Sequence, residues 1–235
     1  MIISNKFKPC TGFTLIEISV VLIIVSLLMG AILKGQQLIN IAKEKQLVSD
    51  FSGIAQMIYT YQDKFKALPG DDIKAANRFA SINSSVQNGD GDSLITGDWF
   101  VFNPIKDSTT IWQHLRLAGL MSGETNISSP DYLPKNALGK AIEVHSATGI
   151  ASESPILDEH GNALKGTYII CSRGISGSLA LSLDIHVDDG NPSTGSVLIT
   201  EDNGTFTMAA NPARIGTNTS SDITPDALYT VCMGI

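Results

Sequence analysis

No proline occurs between residues 13 and 65, so nothing in that stretch forbids one continuous helix. Only Gly30, Gly35 and Gly53 weaken it, by about 1 kcal/mol each. Charge is scarce: 17% of the 235 residues are charged against 43% apolar, a folded rather than a disordered composition. Basic residues are in deficit, and a formal net charge of −7 argues against a phosphate-binding surface and against direct nucleic-acid binding. The four histidines (His114, His145, His160 and His186) are scattered, and no GxSxG, HExxH or phosphate-cradling glycine loop accompanies them. Catalysis is therefore not expected. Of three cysteines, none has a companion two to four residues away, which excludes the usual zinc spacing. There is no internal repeat and no low-complexity segment.

What is present begins with residues 13–33, whose only charge is Glu17. At 1.5 Å per residue this run spans roughly 31 Å as a helix, the thickness of a bilayer's hydrocarbon core. It is longer than the apolar core of a signal peptide, and Met29-Gly30-Ala31 makes a poor cleavage site, so a retained membrane helix is favoured. Lys6 and Lys8 precede it while Lys34, Lys43 and Lys45 follow, so flanking charge alone does not set the orientation. A carboxylate inside such a span costs roughly 2.5–3.5 kcal/mol and needs a reason.

Beyond Lys34 the pattern turns amphipathic. Leu47, Phe51, Ile54, Ile58, Tyr61, Phe65 and Leu68 fall at alternating steps of four and three, one stripe on a helix. With the apolar run this predicts a helical rod of roughly 80 Å, stopped by Leu68-Pro69-Gly70-Asp71-Asp72. Asp71 or Asp72 is placed to cap a short helix through Phe79, and residues 110–121 predict another with Thr109 or Thr110 as cap. Short strands are predicted at 141–147, 166–171, 196–200, 204–210 and 228–233, with 175–187 open between helix and strand. The fold class is α+β: a long N-terminal helix laid on a C-terminal body with a mainly antiparallel sheet.

Within NGDGDSLITGD, Asn88, Asp90, Asp92 and Asp98 alternate in a way that approaches a calcium-binding loop. The glycine is misplaced at Gly91, and Trp99 stands where a bidentate glutamate belongs. A solvated Asx-rich turn is the favoured reading, with a Ca²⁺-stabilised loop as the alternative. Asp188-Asp189-Gly190-Asn191-Pro192 reads as a second acidic turn. Cys171 and Cys232 fit either one disulfide in an oxidising compartment or two buried thiols.

Lys6 and Lys8, then Gly12-Phe13-Thr14-Leu15-Ile16-Glu17, then a long apolar run, an amphipathic helix and a cysteine-bearing body, resemble a type IV prepilin or a type II secretion pseudopilin. YQDKFKALPGDD, WQHLRLAGL and VDDGNPSTG also resemble a pilin-like subgroup. The resemblance implies four segments: a leader (1–12), a transmembrane and assembly helix (13–33), its amphipathic continuation (34–67) and a globular head (68–235). It implies cleavage between Gly12 and Phe13 by a prepilin peptidase and methylation of the new Phe13 amine. Loss of Lys6 and Lys8 with the leader takes the formal charge from −7 to −9. Cys10 leaves too, and the family's habit of a C-terminal disulfide loop favours pairing Cys171 with Cys232. Glu17 would meet the Phe13 amine of a neighbouring subunit in the filament; pairing with its own helix N-terminus is the alternative.

The implied protein is a structural subunit, not an enzyme, that requires no cofactor. It would be stored in the bacterial inner membrane with its body in the periplasm, then built into a pilus or pseudopilus by an assembly platform. Its partners would be other copies, related subunits, the peptidase and membrane lipid. Two departures stand out: the distal apolar helix lacks the proline of many major pilins, and the body is longer, which points to a minor or specialised subunit. The alternative is a monomeric membrane-anchored binding domain.

Overall fold

The computed structural model describes residues 14–205, 207–216 and 222–235. The chain divides into two compact units, Met1–Ala42 and Lys43–Ile235. Within the first, the described residues are almost entirely the opening part of helix α1 (Leu15–Phe65). Its apolar side chains are exposed around the whole circumference, as a helix made for lipid or for a bundle of other helices must be. It is long and apolar enough to cross a membrane.

The second unit starts where α1 acquires a buried face. Leu47, Phe51, Ile54, Ile58 and Tyr61 are the buried residues of the helix, five members of the predicted stripe. Leu68, past the helix end, joins them. Lys66 takes a left-handed conformation (φ 54°) and α1 stops at Phe65. The turn that follows is pinned by Asp72, whose Oδ2 accepts from the Tyr61 hydroxyl (2.9 Å) and from Arg78 Nε (3.1 Å), while Oδ1 accepts from Lys74 N–H (2.8 Å). Helix α2 (Ala75–Phe79) leaves from this knot without a side-chain cap.

Helix α3 runs Asp107–Leu117, shifted toward the N-terminus relative to the 110–121 expectation. Gly119 is the reason for its early end: at φ +75° it lets its own N–H reach Arg116 O (3.0 Å) and Leu120 N–H reach Leu115 O (3.0 Å), the paired bonds of a Schellman stop. Its N-cap residue is Lys106 rather than a threonine and carries no side-chain cap, while Asp107 in the first turn accepts at Oδ2 from Thr96 N–H (3.2 Å) and Thr96 Oγ1 (3.0 Å), tying the helix start to the preceding loop.

Four antiparallel strands form the sheet: β1 (Ile142–Ser146), β2 (Tyr168–Ser176), β3 (Val197–Glu201) and β4 (Leu228–Gly234), in the order β1-β2-β4-β3. The fold is thus α+β, with the long helix first and the sheet toward the C-terminus. Strand β2 outruns its predicted end because a bulge between Ser172 and Ile175, with Gly174 at φ +67°, carries the pairing onward. The ambiguous stretch 175–187 is both things in turn: the end of β2, then helix α4 (Gly177–Val187). The strand expected over 204–210 does not form among its described residues. Gly204 (φ 90°) and Ala209 (φ 53°) turn the backbone away from extension, and only Ala210 makes an isolated bridge, to Ile156.

Alternation along the strands gives the sheet two buried faces. Val144, Ile170, Val231 and Ile199 share one core with α1, α3 and α4. Ile169, Cys171, Cys232 and Leu198 face a second, smaller core with Trp99, Ile156 and Leu164. Trp99 reaches it by stacking on His145, ring centroids 3.9 Å apart. Opposite each other in the β2–β4 register, Cys171 and Cys232 are joined by a disulfide with Cα atoms 4.0 Å apart.

Candidate functional site

Gly12 and Phe13, the predicted cleavage and methylation pair, lie outside the described residues. The described structure begins at Thr14, and the start of α1 is a capping box. Glu17 N–H donates to Thr14 Oγ1 (3.3 Å), while Glu17 Oε2 accepts from Thr14 N–H and from Thr14 Oγ1, both at 2.8 Å. Two helix-terminal donors are satisfied reciprocally, and the carboxylate sits at the positive end of the helix dipole. This is the alternative pairing of Glu17, with its own helix N-terminus. Glu17 nevertheless stays exposed, and only one of its two oxygens is engaged by Thr14. Farther along, the hydroxyls of Ser19 and Ser26 donate to Ile16 O (2.9 Å) and Leu22 O (2.7 Å), so the span's few polar groups are satisfied inside the helix.

The acidic loop is organised around a residue far from it in sequence. Asp71 Oδ1 accepts from Asp92 N–H (3.1 Å) and Gly91 N–H (2.5 Å), and Oδ2 accepts from Ser93 N–H (2.8 Å). Asp71, Asp90, Asp92 and Asp107 each place a carboxylate oxygen within 4.8 Å of the others. Of the four residues singled out in the sequence, the structure brings Asp90 and Asp92 into this group. It does not bring in Asn88, whose Oδ1 accepts from Ala76 N–H (2.8 Å), or Asp98. Burial pushes the Asp71 carboxyl up, with Asp107 adding to it; burial, then Asp90 and Asp92, do the same to Asp107. The α1–α2 turn and the start of α3 supply Asp71 and Asp107, which no local spacing could have paired with the loop.

In the second acidic turn, Asp188 and Asp189 follow α4 directly, and Asp184, one helical turn earlier, points at them. Burial first, then the charges of Asp189 and Asp188, push the Asp184 carboxyl up to about 7.

Residues 7–33 match the family model of the prokaryotic N-terminal methylation motif, so the chain carries the prepilin-type signature of type IV pilins and pseudopilins. None of the curated proteins compared with the chain matches it.

Proposed function

We propose that this chain is a structural, pilin-like subunit of a type IV pilus or a type II secretion pseudopilus, cut between Gly12 and Phe13, methylated on Phe13, and polymerised through α1. The observation that carries the reading is the methylation motif at 7–33 joined to an exposed, uninterrupted apolar helix whose only charge through residue 33 is Glu17. A helix apolar on every side has two stable homes, lipid and a bundle of similar helices. Such a subunit uses both, resting as a single-pass membrane protein with its body in the periplasm and moving into the filament when the platform extracts it.

Glu17 makes the second home specific. Oε2 is occupied by Thr14 within the chain. The remaining oxygen has no partner among the described residues and would accept from the Phe13 ammonium of the next subunit; in a dry bundle a carboxylate without that cation costs several kcal/mol. The work is mechanical rather than catalytic, and the partners are other copies, related subunits, the prepilin peptidase and the assembly platform.

The test combines mass spectrometry of the mature N-terminus with filament yield in cells making the fibre. A methylated Phe13 N-terminus in wild type, unprocessed precursor from Gly12→Val, and membrane-inserted but filament-poor Glu17→Ala are expected. An intact leader in wild type refutes the processing, wild-type filament yield from Glu17→Ala removes the role given to Glu17, and absence of the chain from sheared filaments leaves a monomeric membrane-anchored domain.

A further inference from the structure

The turn after α4 gathers negative charge where a helix end tolerates it least. Asp184 and Asp188 are four residues apart, so they share one face, and Asp188 is the C-cap residue, its N–H donating to Asp184 O (2.7 Å). Like charges at this spacing repel, and the carbonyls of a helix C-terminus favour cations. Asp189 adds a third carboxylate, and one oxygen of each lies within 4.8 Å of one from the others. None of the ion pairs among the described residues involves Asp184, Asp188 or Asp189.

Asp184 is the decisive member. It is 0% exposed, and neither of its carboxylate oxygens has a hydrogen-bond partner. A buried acid with four vacant acceptor positions is costly unless a proton or a metal ion fills the space it faces. Its neighbours are held rigidly for such an occupant. Asp188 Oδ2 accepts from Ser196 N–H (2.6 Å) and Val197 N–H (2.9 Å) at the start of β3. Asp189 Oδ1 accepts from Asn191 N–H (2.8 Å) and Oδ2 from Thr194 Oγ1 (2.6 Å). Gly195, at φ +82°, permits the close approach: a Cβ there would lie 2.0 Å from Asp188 Oδ2.

We propose that Asp184, Asp188 and Asp189 bind one Ca²⁺ ion that ties the end of α4 to the start of β3. The ligand set selects the ion. Ca²⁺ takes six to eight oxygens in a flexible geometry and accepts several carboxylates, whereas Mg²⁺ demands near-ideal octahedral geometry and is usually held by only one or two. Three carboxylates gathered from one turn therefore suit Ca²⁺ better than Mg²⁺. Water completes the shell, and with three carboxylates from the protein the affinity falls near 10⁻⁴ M, in the range of about 10⁻⁴–10⁻³ M typical of extracellular calcium modules.

The experiment is a CaCl₂ titration of the full chain in detergent, read by calorimetric stoichiometry and by thermal unfolding, alongside Asp184→Asn, Asp188→Asn and Asp90→Asn. Going from chelator to 5 mM CaCl₂ should multiply the folding equilibrium by about 50 in wild type and raise Tm by roughly 5–9 °C. Asp184→Asn and Asp188→Asn should each lose that rise and one bound ion per chain, while Asp90→Asn keeps both. In chelator, Asp184→Asn should unfold no lower than wild type, since it removes an unpaired buried acid; this separates loss of binding from loss of fold. A missing calcium response in wild type overturns the proposal and leaves Asp184 as a protonated acid. A response retained by Asp184→Asn but lost by Asp90→Asn also overturns it and moves the ion to the Asp71 loop.

Discussion

The disulfide between Cys171 and Cys232 should be the largest single contributor to the stability of the body. It joins residues 61 apart in sequence, so oxidation closes a ring of about 62 residues in the unfolded chain. Loop-closure entropy for that ring is worth about 4 kcal/mol at 25 °C. Both cysteines are 0% exposed and sit among Trp99, Ile156, Leu164, Ile169 and Leu198, so serine substitutes would bury two hydroxyls there; the cleaner perturbation is Cys171→Ala with Cys232→Ala. For a body of this size about 4 kcal/mol corresponds to a fall in Tm of roughly 8–16 °C. Urea unfolding followed by tryptophan fluorescence suits the measurement because the chain's two tryptophans, Trp99 and Trp112, report on the two cores separately. The double variant and the reduced wild type should both unfold at lower urea, with a larger m-value because their unfolded chains expand more. A loss below about 1 kcal/mol in both would show that the ring does not constrain the unfolded state, and the entropic reasoning would be wrong.

Two further perturbations test the turn after α1. Gly70 sits at φ +92°, and a Cβ there would lie 2.7 Å from Asp107 O and 3.2 Å from Ile111 Cβ. Gly70→Ala should therefore cost about 2–4 kcal/mol, from left-handed strain plus displacement of α3, read as lowered Tm. His114 is buried with Nδ1 accepting from Gly70 N–H (2.9 Å) and Nε2 2.8 Å from Gln87 O, a neutral ring with both nitrogens used. Burial lowers its pKa below the ordinary 6.5, so the unfolded chain binds the proton more readily. Its stabilisation is complete above pH 6.5 and is lost as pH falls below that toward the folded value, by up to about 1.4 kcal/mol per pH unit. Asp184, raised to about 7, acts in the opposite sense between its ordinary 3.8 and that value. The difference between wild type and His114→Gln isolates the histidine: the variant should show a shallower loss from pH 6.5 to 5 in urea unfolding, and parallel curves would refute its role.

The parts of the fold that announce themselves in sequence are those where one local pattern decides the outcome. Proline-free length and the four-three stripe specify α1, and β-branched runs specify β1, β3 and β4. What escapes is set by distant residues. The end of β2 depends on a bulge at Gly174, and in α4 the apolar residues Leu179, Leu181, Leu183, Ile185 and Val187 alternate with the period of a strand. Spacing left Cys171 and Cys232 open between thiols and a bond; their register across β2 and β4 makes the pairing. Asp90 and Asp92 were visible as an acidic loop, but Asp71 and Asp107 reach it only because the turn after α1 and the start of α3 meet there. The Thr14–Glu17 capping box is a local signal too, but its threonine-x-x-glutamate spacing sits inside the signature itself and is masked by it.

That box has a consequence for reversibility. A polymer that is repeatedly built and withdrawn must return each subunit to lipid, and an acid left bare at that moment would oppose the return. Thr14 holds one oxygen of Glu17 at 2.8 Å from within the chain. In the proposed filament an incoming ammonium would add to a carboxylate already at rest, and its departure would leave an intact helix start behind.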